Sequence, residues 1–277
     1  MPLGLDAALE ELEAVIDAAA VPRVALLGQS GAAAPAIAYA ANHPERVSHL
    51  VLLGGYLTGL MHTNPAADIA AFHEAKVRLV ELGWGRNDPA VQQFFTTTMI
   101  PDAAPEQVAA LNEQQRLSCD GARAAQIMRA RARLDVRSLA PLVRCPTLVL
   151  HAAGDLVVPI ERGRDMAAAI PGARFETLTT RNHIPLPGDG GFDRFIEVVA
   201  DFVASEVGQL ALTPREKDLA HAVADGLDNL QLAARLGIAE KTARNAISAL
   251  YAKLNVEGRP QAIVLLRAEG FGGRTRP

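Results

Sequence analysis

Three side chains of this chain, taken in the order Ser, Asp, His, are those of a nucleophilic catalytic triad. Ser30 lies in the stretch GQSGA, Asp155 in AAGD and His183 in RNH. A serine hydroxyl becomes a nucleophile when a histidine takes its proton and a carboxylate orients and stabilises that histidine. When the serine occupies a sharp turn between a strand and a helix, the chain order is Ser, then Asp, then His. The pattern predicts that Ser30 attacks, that His183 is the base and that Asp155 orients it.

The residues around Ser30 have the small size that such a turn requires. The backbone at a nucleophile elbow is strained, so its neighbours two residues away must be small. Gly28 meets this requirement on one side, and Ala32 stands on the other side, where glycine is usual. The Gly31 N–H is placed to donate to the oxyanion of a tetrahedral intermediate. A tight glycine-serine turn without chemistry is the structural alternative.

The elements around these residues must bring them to one edge of a sheet. Short apolar runs without alternation predict strands of a parallel sheet that is covered on both faces, at residues 23–27, 47–53, 146–155 and 173–178. Helical spacing predicts helices at residues 5–19, 31–42, 66–82, 89–97, 105–117, 120–133, 160–170 and 191–207. Strands that alternate with helices indicate an α/β fold with right-handed crossovers. Asp155 and His183 follow the third and fourth strands, at the carboxyl ends where such sheets bind ligands.

Residues 1–206 resemble the C-terminal two-thirds of an α/β-hydrolase domain. The resemblance rests on NHPERVSHLVLLGGY, GDLVVPIERGRDMAAAIPGARF and RNH. It implies that Ser30, Asp155 and His183 correspond to the family's triad. It also implies that residues 57–140 form a helical cap over a pocket for a small-molecule ligand or an ester substrate. A triad that serves only as a ligand pocket remains an open alternative.

The sequence departs from this family ahead of the elbow strand. The family has about four strands there, together with the loop that gives the second oxyanion amide, whereas this chain has a single predicted helix. The strand at 23–27 would then lack a neighbour, and an exposed apolar edge invites pairing. We expect either a chain that starts late or an edge that self-association covers. A defective fragment without pocket function stays open as a third interpretation.

Residues 212–277, after a linker at 207–211, have a different pattern of four short helices and no strand. The helices are predicted at 214–225, 229–236, 240–254 and 259–269. Thr213 and Glu216 form a capping box, and the turn at 237–239 joins two helices as in a helix-turn-helix. In that motif the second helix enters the major groove of DNA.

This C-terminal segment resembles the LuxR-type helix-turn-helix domain. The resemblance rests on the opening LTPRE, on AARLGI and on AKLNV. It implies DNA binding, which we assign to Thr213, Asn229, Lys241, Thr242, Arg244, Asn245, Ser248 and Lys253. A solvated polar face is the structural alternative. Members of this family commonly dimerise, so the resemblance also implies a homodimer, formed through the last helix, which carries Ile263, Leu266 and Arg267.

Composition narrows the classes of function. The net charge is −4, yet residues 209–277 carry 10 Lys/Arg against 7 Asp/Glu, and residues 1–208 carry 17 against 24. This asymmetry of charge indicates that only residues 209–277 contact a polyanion. Cys119 and Cys145 are too few for a disulfide framework. Neither a metal-ligand pattern nor a phosphate-binding glycine loop is present, so we expect no metal and no cofactor. We find no signal peptide and no apolar run of about 18 residues, so we expect a cytoplasmic protein without a membrane span.

Two hypotheses follow from the sequence. The leading one is a DNA-binding transcriptional regulator of LuxR type, in which an α/β-hydrolase-like domain senses a ligand. The alternative is a serine hydrolase for esters or amides, with an appended DNA-binding or interaction tail. The two share one fold, so the site must separate them.

Overall fold

The structure, a computed structural model, describes residues 4–86, 88–207, 212–254, 256, 258–268 and 270–273. The chain divides into two units, which we name the α/β unit (residues 1–200) and the helical unit (residues 201–277). Residues 208–211 of the expected linker lie outside the described residues. Within those residues, no helix is both long and apolar enough to cross a bilayer.

The α/β unit is built on one sheet of four parallel strands. The strands are β1 (Val24–Gln29), β2 (Val47–Leu53), β3 (Thr147–Ala152) and β4 (Arg174–Leu178), and they lie in the order β1-β2-β3-β4. All three pairings are parallel, as the alternation of strands and helices predicts. The carboxyl ends of the strands therefore share one edge, where the candidate triad lies.

The prediction of a sheet covered on both faces is correct for the central strands and wrong for β1. All residues of β3, and six of the seven in β2, are buried. In β1, by contrast, Ala25 and Leu27 are exposed, and Leu27 keeps 55% of its accessible surface. Helices pack on the β1 face that carries Val24 and Leu26, and the opposite face is left open. β1 is also an edge strand of the sheet, as is β4.

Eight helices are described in the α/β unit or begin in it. Their bounds agree with the sequence prediction to within two residues: α1 (Leu5–Ala18), α2 (Ala33–Asn42), α3 (Ala67–Gly83), α4 (Pro89–Met99), α5 (Pro105–Ser118), α6 (Gly121–Arg131), α7 (Ile160–Ala169) and α8 (Gly190–Val207). Helices α3–α6 form the cap between β2 and β3. The two ends of the cap pair with each other, since Gly59 N donates to Leu134 O at 2.8 Å and Met61 N donates to Ala132 O at 2.7 Å.

The helical unit contains α9 (Pro214–Ala224), α10 (Asn229–Leu236), α11 (Glu240–Leu254) and α12 (Arg259–Ala268). The predicted capping box is formed, because Thr213 N donates to Glu216 Oε2 at 2.6 Å and Glu216 N donates to Thr213 Oγ1 at 3.3 Å. Gly237 adopts the left-handed conformation, with φ at 63°, and turns the chain from α10 toward α11. The four helices enclose one apolar core, which includes Leu232 and Leu250.

The last helix differs from the sequence prediction in which of its side chains are free. Leu266 is fully buried in the core of the helical unit, and Arg267 Nε donates to Ala224 O at 2.8 Å. We expected both on a dimerisation face; that expectation is wrong for Leu266, which the short helix buries in the core, whereas Arg267 remains exposed. Val264 is the exposed apolar residue of α12, with 71% of its surface accessible.

Candidate active site and nucleic-acid interface

Ser30 lies on the sharp turn that the sequence predicts. It follows β1 directly, opens a short 3₁₀ turn (Ser30–Ala32) and leads into α2. Its φ is +53°, a conformation that costs an L-residue about 1–2 kcal/mol. A Cβ at Gly28 would lie 2.9 Å from Ala32 O, so glycine is required there. Ala32 has a φ of −78° and is exposed, which explains why alanine replaces glycine at that position.

Asp155 and His183 are in direct contact at the carboxyl edge of the sheet. His183 Nδ1 donates to Asp155 Oδ2 at 2.7 Å, and both side chains are almost completely buried. The other carboxylate oxygen accepts from the backbone N–H groups of Val157 at 2.8 Å and Val158 at 2.9 Å. A carboxylate bonded in this way fixes the histidine ring in one orientation and one tautomer.

A second histidine, His151 at the end of β3, also faces this carboxylate. Its Nε2 donates to Val158 O at 2.8 Å and lies 3.4 Å from Asp155 Oδ2. Burial alone would raise the pKa of Asp155. The nearby His151 imidazole, together with the hydrogen bonds from His183 and the Val158 backbone, outweighs burial and holds this pKa well below its usual range. Asp155 is therefore an anion at neutral pH, although its side chain is buried.

Ser30 lies beside this pair without a hydrogen bond to it. A Cβ at Gly54 would meet His183 Cε1 at 3.0 Å, and a Cβ at Gly55 would meet Ser30 O at 3.4 Å. The two residues thus flank the same glycine pair. The buried Nε2 of His183 has no hydrogen-bond partner among the described residues. The structure joins two of the three predicted triad members and places the third nearby.

Gly31, the predicted oxyanion donor, is buried beneath a residue of the cap. A Cβ at Gly31 would lie 2.8 Å from Arg131 Cδ and 2.9 Å from Arg131 Nε. Sequence reasoning missed Arg131, because only the pairing of the two cap ends carries the end of α6 to the elbow. No periodicity in the sequence signals such a contact.

The loop that carries His183 is held by the corner of the cap after α4. His183 N donates to Met99 O at 2.9 Å, and Asp102 N donates to Asn182 Oδ1 at 3.0 Å. Arg181 forms an ion pair with Asp102 as well. The position of His183 is therefore coupled to the position of the cap. No group of three or more His, Cys, Asp or Glu side chains in the described part of the chain is arranged to hold a metal ion.

In the helical unit, α11 presents the polar face that the sequence predicts. Lys241, Arg244, Asn245 and Ser248 recur at positions i, i+3, i+4 and i+7 and are exposed, as is Thr242 beside them. Arg244 is paired with Glu240 at 2.9 Å within the same helix. The opposite face of α11 is buried in the core. The remaining side chains of this face project from the second helix of the helix-turn-helix.

Three other predicted DNA contacts are engaged within the helical unit. Thr213 Oγ1 caps α9, and Lys253 forms an ion pair with Glu216 at 2.9 Å. Asn229 Oδ1 accepts from Arg259. These side chains hold helices together, so DNA would have to compete with the contacts that they already make.

Family models match both parts of the chain. Residues 3–187 match the model described as alpha/beta hydrolase fold, which spans well over half of the chain. Residues 210–266 match the model described as bacterial regulatory proteins, luxR family. The two matches divide the chain much as the two units of the structure do.

Individual relatives match either one part or the other. RutD of Klebsiella pneumoniae (strain 342), whose name makes it a candidate carbamate hydrolase, is 28% identical over 202 residues, which are 71% of this chain and 71% of that protein. The DNA-binding transcriptional activator DevR/DosR of Mycobacterium tuberculosis is 47% identical over 53 residues, which are 19% of this chain and 24% of that protein. The solved esterase EaEST of Exiguobacterium antarcticum superimposes with a TM-score of 0.62 at 22% identity, over 72% of this chain and 74% of its own, and shows the fold alone.

Proposed function

Because this chain belongs to the alpha/beta hydrolase fold family and is a DNA-binding regulator of LuxR type, we propose that its α/β unit is a small-molecule sensor. The buried, unpartnered Nε2 of His183 carries this proposal. A buried polar nitrogen without a partner costs about 1–3 kcal/mol. A ligand held under the cap beside Ser30 supplies that missing hydrogen bond. The protein would act as a cytoplasmic homodimer.

DNA recognition is assigned to the exposed face of α11. Lys241 and Arg244 meet phosphates, while Asn245, Ser248 and Thr242 face the base edges. Thr213, Asn229 and Lys253 act mainly by holding the helical unit in shape. A Lys241→Gln change should lower the slope of log K against log salt by about 1 on duplex DNA, as measured by fluorescence anisotropy.

Lys76→Gln provides the matched control for this experiment, because it removes the same charge from the cap of the α/β unit. Lys76 lies over the Phe72 ring and outside the helical unit. An equal change of slope in both variants would contradict the assignment of Lys241 and would point to a general effect of net charge.

The homodimer is assigned to the exposed face of α12. Val264 is a large apolar side chain that this face exposes, with 71% of its surface accessible. Val264→Asp should shift the sedimentation coefficient toward that of a monomer and weaken DNA binding. A wild-type protein that sediments as a monomer at micromolar concentration would contradict the dimer.

A second candidate function, ester or amide hydrolysis, is favoured by one observation. Ser30 keeps the strained elbow conformation beside an oriented Asp155–His183 pair. In this function Ser30 attacks, His183 accepts its proton, and the Gly31 N–H stabilises the oxyanion. The hydrogen bond between serine and histidine would then form with substrate, as catalytic contacts often tighten only in the bound complex.

Intact mass after exposure to a fluorophosphonate separates the two functions, with Ser30→Ala as the control. A single adduct that the variant loses would assign the site to a hydrolase or a covalent receptor. If a folded, DNA-binding sample forms no adduct, the result supports a non-catalytic sensor.

A further inference from the structure

A cavity of about 290 Å³ lies beside Gly31 and is not lined by Asp155 or His183. We name it the α1–α6 cavity, because its walls come from α1, from the start of α2 and from α6. Its apolar lining includes Leu5, Ala8, Pro35, Ile127 and Leu134. Its volume is at the lower end of the range of about 300–1,000 Å³ that small-molecule sites occupy.

The charged lining of this cavity is mostly cationic. Arg131 and Arg123 both reach it from α6, and Glu11 is the acidic residue among those that line it. The Arg131 guanidinium supplies the positive charge that an anion would meet in this cavity. Apolar walls beside such a charge suit a ligand that has one charged end and one hydrocarbon end.

Arg131 has no carboxylate partner among the described residues, unlike Arg129 and Arg137 of the cap. Arg129 pairs with Glu74 at 2.7 Å, and Arg137 pairs with Asp135 at 2.8 Å. Arg131 forms no hydrogen bond or ion pair through its side chain with any residue that the structure describes. Its side chain packs on Gly31 through Cδ and Nε, and the residue is exposed, so a ligand can reach the guanidinium.

We propose that the α1–α6 cavity binds a small amphipathic carboxylate. The carboxylate lies on the Arg131 guanidinium, which can hold two oxygens at once. The hydrocarbon part lies against Leu5, Ala8 and Ile127. This assignment rests on the proposed sensor function for its consequence, since it adds a second ligand site, distinct from the one beside His183, to which the α/β unit responds.

Ligand binding in the α1–α6 cavity would also change the contacts of Gly31. A carboxylate that draws the guanidinium toward α1 must move the Arg131 stem, which is in contact with the Gly31 backbone. Ligand binding and the packing at Gly31 therefore depend on one side chain. The cavity and the Ser30 elbow are neighbours that share this contact.

Isothermal titration of the full chain with octanoate tests the proposal, with 1-octanol and acetate as probes of the two ends. Octanoate should bind with one site per chain, and acetate and 1-octanol should each bind at least about tenfold more weakly. Arg131→Gln should weaken octanoate about tenfold and leave 1-octanol unchanged. Arg133→Gln is the matched control, because Arg133 does not line the cavity.

Ala8→Phe provides a second variant that fills the cavity and leaves its charges in place. It should abolish the binding of octanoate and of 1-octanol. Three results would overturn the proposal. Octanoate still binds to the Ala8→Phe variant, or the Arg131→Gln variant binds octanoate as tightly as wild type does. The third is that wild type shows no binding of octanoate up to millimolar concentration. Binding of 1-octanol shows that the Arg131→Gln protein is folded.

Failure of this inference is distinguishable from failure of the sensor function. DNA binding, followed by anisotropy on the same samples, is measured with and without octanoate. Octanoate that binds without changing DNA affinity supports the site and contradicts a part for this site in sensing, while the proposed ligand beside His183 is tested separately by the fluorophosphonate experiment. Absence of octanoate binding in a chain that still binds DNA overturns the site alone.

Discussion

Replacing Asp155 by asparagine tests whether the buried carboxylate organises this site. The amide oxygen of Asn can still accept from the N–H groups of Val157 and Val158. The amide nitrogen, however, then faces His183 Nδ1, where a carboxylate oxygen now accepts at 2.7 Å. The histidine must either lose that hydrogen bond or change its tautomer, because two donors cannot bond to each other.

The cost follows from the contact that is lost. A hydrogen bond to a charged group contributes about 1.5–3 kcal/mol. The neutral amide is easier to bury than the carboxylate, and that gain offsets part of the loss. We expect Asp155→Asn to lower the free energy of unfolding of the α/β unit by about 2 kcal/mol at pH 7.

The pH dependence gives this prediction its sign. The pKa of Asp155 lies below its usual value of 3.8 in the folded protein, so the carboxylate contributes stability above pH 3.8. That contribution is lost as pH falls below 3.8 toward the folded pKa. The difference in stability between wild type and Asp155→Asn should therefore be constant from pH 5 to 8 and narrow below about pH 4.

Urea unfolding followed by tryptophan emission reports the relevant part of the chain. Trp84 is the single tryptophan and lies in the cap, against the Phe95 ring at 5.3 Å. Its emission follows the α/β unit and not the helical unit. Asp165→Asn is the matched control, since Asp165 is exposed on α7 and the expected change is below about 0.5 kcal/mol. Equal stability of wild type and Asp155→Asn at pH 7 would refute the reasoning.

Three further predictions concern single contacts. The hydrogen bond from Arg137 is the main reason why the pKa of Asp135 lies at about 2. Asp135→Asn should therefore lower the free energy of unfolding by about 1–2 kcal/mol at pH 7. This difference should be lost as pH falls from 3.8 through about 2. Ser30→Gly should be about 1 kcal/mol more stable than Ser30→Ala, because both lack the hydroxyl and only glycine relieves the φ of +53°. Thr213→Ala should cost about 1 kcal/mol by removing the cap of α9. Urea titrations with Trp84 emission check the first two, and thermal melting followed by circular dichroism checks the third. The first prediction is contradicted if the difference in stability between wild type and Asp135→Asn persists at pH 2. The second is contradicted if Ser30→Gly is no more stable than Ser30→Ala, and the third if Thr213→Ala leaves the melting temperature unchanged.

The elements of the fold were predictable because each rests on local signals. Caps such as Thr213 and Asp228, and the glycine at 237, mark helix ends by chemistry that acts within three or four residues. The exposed face of β1 was not predictable in the same way. Its residues are as apolar as those of β2, and only the placement of the helices decides which face of a strand is covered.

The site was predictable where it depends on chain order and not where it depends on long-range packing. Asp155 and His183 each follow a strand, and parallel strands bring their carboxyl ends together. Arg131 reaches Gly31, and Leu266 turns inward, because elements distant in sequence meet. Spacing along one helix carries no information about which neighbour that helix will meet.

The cap is the element on which the sensing and hydrolytic functions make opposite demands. It holds His183 through Met99 on one side and covers Gly31 with Arg131 on the other. Hydrolysis needs the Gly31 N–H open to an oxyanion, since losing one such donor costs about 10²–10³ in rate. Sensing needs the cap to take two positions that a ligand distinguishes, because a ligand shifts an equilibrium only by its difference in affinity for the two states. Arg131 packs on Gly31 in this conformation, so an anion that displaces Arg131 would change the surroundings of the predicted oxyanion donor.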